Sequence, residues 1–389
     1  MDYKLLSEVS VYRKDRISSD KVNKENYIST ENMLPNRGGV ESATTVASAK
    51  TFSAYKKGDI LLSNIRPYFK KIWYADKEGG CSNDVLVVKA GKSVDSKFLY
   101  YVLSDNNFFN YSTVTSKGTK MPRGSKNAIM KYWVPDLDLP TQKKIADILS
   151  SYDELIKANN ERIELLEQVA QELYKEWFVR FRFPGYENAK FEDGIPEGWA
   201  IKRMNEFCYV TDGTHDTPKP VDVGVPLVTG RCISSGFVDF DAAYNISETD
   251  HIGIKKRSGL KSGDILFSNI GTVGNCCVVD YNREFSVKNV IIFKPETMRD
   301  TAYLYYWMTS STMQEIFGTQ TNGASQQFVG LTFMRRYKLL VPKDDILEAF
   351  AEKVSPIVEQ KRLSHQKNLN LAAQRDMLLP RLMSGKLEV

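Results

Sequence analysis

The chain has 389 residues, with 53 Lys and Arg against 48 Asp and Glu, so its formal net charge is +5. Hydrophobic residues make up 42% and charged residues 26% of the chain, a balance that excludes collagen and disorder throughout. Five cysteines without CxxC spacing argue against a disulfide framework or a zinc ribbon, and they predict reduced thiols in a cytoplasmic protein. The length predicts two domains.

An internal repeat of about 205 residues organises these domains. The segment GDILLSNI at Gly58–Ile65 recurs as GDILFSNI at Gly263–Ile270, and FLYY at Phe98–Tyr101 recurs as YLYY at Tyr303–Tyr306. A period this long exceeds the roughly 20–50 residues of a solenoid repeat. The repeat therefore predicts a duplicated mixed domain of strands and helices, at 1–138 and 200–342, each copy followed by a helical segment.

The first copy carries most of the positive charge, with 22 basic and 15 acidic residues in 1–138. Tyr111–Lys131 contains five basic residues and no acidic one, and its Gly and Ser content predicts an exposed loop. Lys50–Lys77 is also basic and is interleaved with aromatic residues. Such loops suit contact with DNA phosphates, although an ordinary solvated surface has the same composition. The candidate DNA contacts of this copy are Arg66, Lys117, Thr119, Lys120, Arg123 and Lys126.

The segment 139–180 has the spacing of a coiled-coil helix. Steps of four and three place apolar or aromatic residues at nine of ten positions, and the tenth is Asn159, a polar residue of the kind that fixes register. The seam covers about 34 residues, or roughly 50 Å at 1.5 Å per residue. A single amphipathic helix on a globular core is the alternative. The seam positions are Ile145, Leu149, Tyr152, Ile156, Asn159, Ile163, Leu166, Ala170, Leu173 and Trp177.

Two further segments complete the predicted organisation. Residues 181–199 are rich in Pro, Gly and acidic residues, which predicts a linker. Residues 343–389 predict a second long helix with a polar middle, and Pro380 lies where this helix should stop or kink. The predicted fold class is α+β, with two similar mixed α/β domains separated by two long helices that suggest an antiparallel pair.

The second copy offers different candidate residues. The turn TDGTHDTPKP at Thr211–Pro220 contains Asp212, His215 and Asp216, which are weak candidates for metal ligands and fit a structured or DNA-facing turn better. The segment Thr319–Phe328 is uncharged and amide-rich, which suits base readout or no role in binding. The candidate DNA contacts of this copy are Thr214, His215, Lys219, Ser325, Gln326 and Gln327.

The sequence contains no convincing catalytic motif. It lacks the G-x-x-x-x-G-K-[ST] phosphate loop, a G-x-G-x-x-G after a strand, and the Asn/Asp-Pro-Pro-aromatic run of an amino-methyltransferase. Cys276 and Cys277 are interpreted as buried strand residues. We therefore expect no catalytic residue, no metal and no cofactor bound by this chain.

Several motifs, taken in order, resemble the specificity subunits of Type I restriction–modification systems. Each motif is modest alone, but together they span nearly the whole chain. They are LPTQKKIADIL at Leu139–Leu149 followed by Asp153, WFVRFRFPG at Trp177–Gly185, GIPEGW at Gly194–Trp199, DGTHDTP at Asp212–Pro218 and LLPRLMSGK at Leu378–Lys386.

This resemblance implies a DNA sequence-specificity subunit without chemistry of its own. Each domain would be a target recognition domain that recognises one part of a bipartite double-stranded DNA target, and the two helices would form an antiparallel coiled coil that sets the unread spacer. Two methyltransferase subunits would bring S-adenosylmethionine, and ATP-driven restriction subunits would join them. Three alternatives stay open: a methylation-only or related system, an enzyme such as a DNA methyltransferase or nuclease, and a helical adaptor that binds proteins but not DNA.

Overall fold

The chain forms two compact units in the structure, a computed structural model that describes residues 2–234, 236–320, 328–384 and 387. Unit 1 comprises Met1–Asn160 and Gln366–Val389, and unit 2 comprises Glu161–His365. The limits predicted for the recognition domains, the linker and the helices remain predictions.

Unit 1 begins with ten short strands and four short helices and continues into a long helix. The strands are β1 (Tyr3–Leu5), β2 (Ser10–Tyr12), β3 (Arg16–Ser18), β4 (Tyr27–Ile28), β5 (Thr51–Tyr55), β6 (Ile60–Ser63), β7 (Ile72–Tyr74), β8 (Gly79–Cys81), β9 (Val85–Ala90) and β10 (Trp133–Pro135). The helices are α1 (Leu6–Val9), α2 (Ser96–Ser104), α3 (Asn106–Val114), α4 (Lys126–Ile129) and α5 (Leu139–Tyr174), and α5 crosses into unit 2.

Unit 2 has a similar order of elements, with the added strand pair β11–β12 at its start and the added helix α7 between β18 and β19. Its strands are β11 (Phe191–Glu192), β12 (Ile195–Pro196), β13 (Ala200–Arg203), β14 (Tyr209–Asp212), β15 (Val225–Thr229), β16 (Ile233–Ser234), β17 (Phe237–Val238), β18 (Tyr244–Ile246), β19 (Ile265–Ser268), β20 (Cys276–Val278), β21 (Ser286–Lys288), β22 (Val290–Lys294) and β23 (Lys338–Val341). Its helices are α6 (Met204–Phe207), α7 (Glu248–Ser258), α8 (Met298–Thr309), α9 (Ser311–Gln320), α10 (Leu331–Arg336) and α11 (Asp344–Met383), and α11 returns to unit 1.

The same four-stranded antiparallel sheet lies in both units. Its strand order is β2-β9-β6-β7 in unit 1 and β14-β22-β19-β20 in unit 2. The terminal strands of each copy also pair, β1 with β10 and β13 with β23. The repeated sequence therefore encodes a repeated sheet, which agrees with the predicted duplication.

The apolar runs in the central strands are explained by burial on both faces of this sheet. Successive side chains of a strand point to opposite faces, and Ile60 and Leu62 join one apolar core while Leu61 joins another. In unit 2, Ile265 and Phe267 likewise join one core and Leu266 a second. Burial on both faces removes the polar alternation of an exposed strand.

The Gly-Asp pair before each central strand forms a tight turn. Gly58 and Gly263 have φ of +88° and +89°, a conformation that favours glycine. The carboxylate of Asp59 accepts from the Lys56 amide at 2.8 Å, and that of Asp264 accepts from the Lys261 amide at 2.9 Å. This turn explains why the motif recurs almost unchanged.

The long helices α5 and α11 run antiparallel within each unit. In unit 1, Asp153 pairs with Arg375 at 2.5 Å, and Asn159 Nδ2 donates to Asn368 Oδ1 at 2.8 Å. In unit 2, Arg162 Nη2 donates to Gln360 Oε1 at 2.8 Å. In these contacts the residue numbers increase along α5 while they decrease along α11, so the helices are antiparallel. This confirms the predicted fold class. The helix α11 continues past Pro380 and ends at Met383.

All ten predicted seam positions face partly or wholly away from solvent. The polar member, Asn159, is half-buried, and its partner Asn368 is buried and donates to Asn160 Oδ1 at 2.7 Å. The buried members are Ile145, Leu149, Ile163, Ala170 and Trp177, and the half-buried members are Tyr152, Ile156, Asn159, Leu166 and Leu173.

The segment 181–199 is folded as part of unit 2. It contains a 3-10 turn at Tyr186–Asn188 and the two-stranded pair β11–β12. Phe183 and Trp199 are buried in the unit 2 core, with ring centroids 5.2 Å apart. The aromatic residues near the two ends of this acidic segment anchor it in the core of unit 2. Its Pro and Gly content alone does not indicate such packing.

All five cysteines are buried and free. Burial raises the pKa of the Cys81 and Cys208 thiols to about 12, so these thiols are protonated and poorly nucleophilic near neutral pH. Cys276 and Cys277 lie in β20, which confirms their interpretation as buried strand residues. Across the described part of the chain, no helix is both long and apolar enough to span a bilayer.

Candidate nucleic-acid interface

The basic segment of unit 1 forms a loop between α3 and α4. The backbone amides of Lys117 and Arg123 each donate to the carbonyl of the other at 2.9 Å, which closes the loop like a small hairpin. Gly118 has φ of +97° at its turn. Lys117, Thr119, Lys120 and Arg123 are exposed, as the loop composition predicts.

This loop is joined to the end of strand β6. The Arg66 amide donates to the Pro122 carbonyl at 2.8 Å, and the Gly124 amide donates to the Asn64 carbonyl at 2.9 Å. A Cβ at Gly124 would lie 2.9 Å from Asn64 Oδ1, so the close approach requires glycine. The structure therefore places Arg66 and the basic loop on one continuous surface.

Most cations of this surface lack acidic partners. Arg123 pairs with Asp84 at 3.2 Å, but both side chains are more than one-third exposed, so the pair contributes little. Among the described contacts, Lys117, Lys120 and Lys126 have no carboxylate partner. Lys126 is exposed at the first residue of α4, after the Ser125 cap. Exposed cations without carboxylate partners, on a loop rich in Gly and Ser, suit the binding of a polyanion.

In unit 2, the predicted turn presents two of its three candidate residues. His215 and Lys219 are exposed. Thr214 is only 7% exposed, and its hydroxyl accepts from the Asp216 amide at 3.1 Å. Thr214 therefore shapes the turn from inside, while the contact surface consists of its neighbours.

The His215 ring is held between two oxygens. Its Nε2 lies 2.8 Å from Asp212 Oδ2, and its Nδ1 lies 2.9 Å from Asn289 Oδ1. Arg257 bonds to the second Asp212 oxygen at 2.5 Å and to the Gly213 carbonyl at 3.0 Å. One carboxylate oxygen of Asp212 thus bonds to His215 and the other to Arg257, and these contacts orient the turn.

Sequence reasoning missed Arg257, Asn289 and Lys288 as residues of this surface. Lys288 donates to the Thr217 hydroxyl, and Asn289 adopts φ of +51° beside His215. The basic run at the end of α7 was visible in the sequence, but its partner in the turn lies 45 positions away. The candidates Ser325, Gln326 and Gln327 fall outside the described residues, so their role remains a prediction.

A turn at Pro67–Phe69 in unit 1 was also missed. The sequence shows aromatic residues among the cations of Lys50–Lys77, but it does not separate core rings from surface rings. Tyr55 is buried, whereas Tyr68 and Phe69 are 46% and 38% exposed beside Arg66. Exposure of two adjacent rings next to the basic loop extends the candidate surface.

Comparisons of the sequence with family models and with known proteins agree with one another. Residues 5–168 match the Type I restriction modification DNA specificity domain. The chain is 26% identical over 310 residues to the Type I restriction enzyme MjaIX specificity subunit of Methanocaldococcus jannaschii, covering 76% of this chain and 70% of that one. It is 24% identical over 373 residues to the MjaVIII specificity subunit of the same organism, covering 93% and 86%.

The fold is similar to a solved structure. The crystal structure of a Type I restriction–modification S subunit from M. genitalium matches with a TM-score of 0.53 at 15% identity. The match covers 98% of this chain and 95% of that one. At this identity the likeness supports the fold alone.

Proposed function

We propose that the chain is a specificity subunit of a Type I restriction–modification system and that it recognises a bipartite double-stranded DNA target for a methyltransferase and restriction complex; the family match and the relatives support this. One block of the target is recognised by the surface of unit 1 that carries Arg66 and the basic loop. The other block is recognised by the surface of unit 2 that carries His215 and Lys219.

The observation that supports this proposal best is that the two units share one sheet topology but differ in the charge of their loops. Both units build the same four-stranded sheet, and its strands β6 and β19 are nearly identical in sequence. The segment after α3 is strongly basic, whereas the corresponding segment after α9 is uncharged. A protein that recognises two different base sequences needs this combination, because phosphate contacts position the protein while loop side chains read base edges.

We further propose that this chain performs no chemistry and binds no cofactor. Two methyltransferase subunits supply S-adenosylmethionine and act on the flipped adenine, and restriction subunits use ATP. The relatives are named as specificity subunits. The raised thiol pKa values of Cys81 and Cys208 are opposite to those of cysteine nucleophiles.

Selection from randomised duplexes tests the proposal. The full chain, assembled with its cognate methyltransferase subunit, is used to enrich a library, and the enriched duplexes are sequenced. We expect two conserved blocks separated by a gap of fixed length and free sequence. Enrichment of no sequence by a well-assembled complex would instead support the adaptor alternative, and methylation or cleavage by the purified chain alone would support an enzyme.

A further inference from the structure

The turn Pro67–Phe69, which we call the aromatic turn, displays two rings in the midst of cations. Tyr68 is 46% exposed and Phe69 is 38% exposed, and their ring centroids lie 4.8 Å apart. Folding usually buries most of a large aromatic side chain, and a ring that stays in water offers its area to a partner. A single exposed ring would need no explanation, but this pair coincides with unusual backbone geometry.

Backbone strain is concentrated at this turn. The described chain has seven non-glycine residues with positive φ, and four of them adjoin the turn. Arg66 and Lys70 flank it in sequence, and Asn36 and Arg37 lie in a segment whose backbone bonds to it. Their φ values lie between +50° and +62°. Left-handed conformations cost free energy in non-glycine residues and persist at binding sites because the surrounding structure enforces them.

The surrounding structure enforces this conformation through paired backbone bonds. The Asn36 amide donates to the Phe69 carbonyl at 2.8 Å, and the Arg37 amide donates to the Lys70 carbonyl at 2.9 Å. Arg37 Nε in turn donates to the Ser104 carbonyl at 2.6 Å, at the end of α2. The aromatic turn is therefore fixed to a helix rather than carried on a loose loop.

The charge around the aromatic turn is positive. The Arg66 guanidinium lies 5.9 Å and the Lys71 ammonium 6.0 Å from the Phe69 ring centroid. Lys70 donates to Asn106 Oδ1 at 2.8 Å and Lys71 to the Thr30 carbonyl at 2.6 Å, which are neutral acceptors. Within the part of the chain that is described, Arg66 and Lys70 have no carboxylate partner, whereas Lys71 interacts electrostatically with Glu41 and Glu31. The neighbouring Arg37 pairs with Asp376 at 3.1 Å.

Unit 2 keeps the backbone of this position but not its side chains. The repeat aligns Arg66 with Gly271, which has φ of +76°. The residues that follow are Thr272, Val273 and Gly274, so the turn itself carries no aromatic residue. The exposed Phe328 is bridged to Ile270, but it belongs to a different segment. The aromatic turn is a feature of unit 1 alone.

We propose that the aromatic turn is a DNA contact of unit 1, in which the Tyr68 ring packs against the duplex while Arg66 and Lys70 face the adjacent phosphates. This inference rests on the proposed function. Apolar wedges that pack into a groove or between base steps occur in other DNA-binding proteins. A rigid, pre-formed turn loses little conformational entropy on binding.

A protein partner fits this surface less well than DNA. The cores of protein–protein interfaces are depleted of charged residues, whereas the rings of the aromatic turn are flanked by cations without acidic partners. The Arg66 amide also bonds to the basic loop through Pro122. The aromatic turn and the basic loop thus form one predominantly basic surface, with Asp84 beside Arg123 as an acidic member, and such a surface suits a polyanion.

The substitution Tyr68→Ala tests this inference in the full chain assembled with its methyltransferase subunit. The probe is a duplex that carries the site enriched by the wild-type complex. Loss of one aromatic stacking contact should raise Kd by about 5- to 30-fold. The slope of log Kd against log salt should not change, because Tyr68 carries no charge. Tyr68→Phe should bind within about twofold of wild type, since the ring is kept.

Tyr3→Ala is the matched control. Tyr3 is 49% exposed in the same unit, on strand β1, and its removal should leave Kd unchanged. Equal melting temperatures of the two alanine variants show that both fold.

The outcomes separate this inference from the proposed function. A wild-type complex that binds no specific duplex contradicts both. If wild type binds and Tyr68→Ala binds equally well, the inference alone is overturned. It is also overturned if Tyr68→Ala impairs assembly with the methyltransferase subunit while the assembled variant binds DNA normally, because the turn is then a protein contact.

Discussion

Units 1 and 2 share a sheet but differ in how their surface charges are paired. In unit 1, Lys117 and Lys120 are exposed without carboxylate partners among the described contacts. In unit 2, Asp212 pairs with both Arg257 and His215, and Glu284 pairs with Lys255. The frame of a duplicated domain can therefore stay constant while the electrostatics of its loops diverge. Unit 1 should depend more strongly on phosphate charge than unit 2.

The units also differ in how they hold the C-terminal helix α11. Unit 2 holds it with aromatic packing, since Phe350 is fully buried and its ring centroid lies 4.8 Å from that of Phe178 and 5.8 Å from that of Trp177. Unit 1 adds polar contacts, with Arg375 between Asp153 and Asp376. Each unit uses both kinds of contact, since Lys361 of α11 pairs with Glu167 in unit 2 and Leu379 and Leu382 are buried in the unit 1 core. Substitutions of Phe350 and Arg375 measure the aromatic and the ionic contribution separately.

The largest expected effect is that of Phe350→Ala. Removal of a fully buried ring should lower the free energy of unfolding by about 3–5 kcal/mol, because a cavity remains among the surrounding aromatic residues. Urea unfolding followed by tryptophan fluorescence measures the change. Val358→Ala, on the same helix at a site that is 40% exposed, is the control and should cost less than about 1 kcal/mol. Equal losses from both variants would contradict the described packing.

The next effect concerns the basic loop of unit 1. The double variant Lys120→Ala and Arg123→Ala should lower the salt slope by about 1.8 and raise Kd about 60-fold at about 0.1 M salt, if each residue contacts one phosphate. DNA titrations at several salt concentrations measure both quantities. The loss should be similar for all sequences that retain the target.

The corresponding variant in unit 2 sharpens the comparison. His215→Ala with Lys219→Ala should change the salt slope by about one, because only Lys219 is a permanent cation. If this variant lowers the slope as much as the unit 1 variant, the proposed difference between the units is wrong. An unchanged slope for the unit 1 variant would remove Lys120 and Arg123 from the set of phosphate contacts.

A smaller effect is expected for Arg375→Ala in unit 1. Burial alone would lower the pKa of Arg375, but Asp153 and Asp376 raise it above its ordinary value. Loss of this cation leaves Asp153 without an ionic partner, whereas Asp376 keeps its pair with Arg37 at 3.1 Å. Because both carboxylates are partly exposed, we expect a cost of about 1–3 kcal/mol. Urea unfolding measures it, with the exposed Arg162→Ala as control. A cost no larger than that of the control would show that the ion pairs contribute little to unit 1.

The sequence predicted the repeated domains and the long helices better than it predicted the candidate DNA-binding surface. The repeat, the long helices and the polar seam residue Asn159 follow from local periodicity, which the chain shows directly. The folded state of 181–199 did not follow, because the burial of Phe183 and Trp199 depends on a core formed by distant residues. In the same way, the inward position of Thr214 and the strain at Arg66 depend on backbone contacts that no local pattern reveals.

Mapping of methylated adenines in the host genome, with and without the gene for this chain, tests the central claim most directly. The account predicts that deletion abolishes methylation at one bipartite motif, with two specified blocks separated by a gap of fixed length. Exchange of the unit 1 loop Lys117–Arg123 for that of a relative should alter only one of the two blocks. Methylation at a continuous palindrome, or methylation unchanged by the deletion, would contradict the claim that this chain recognises a bipartite DNA target.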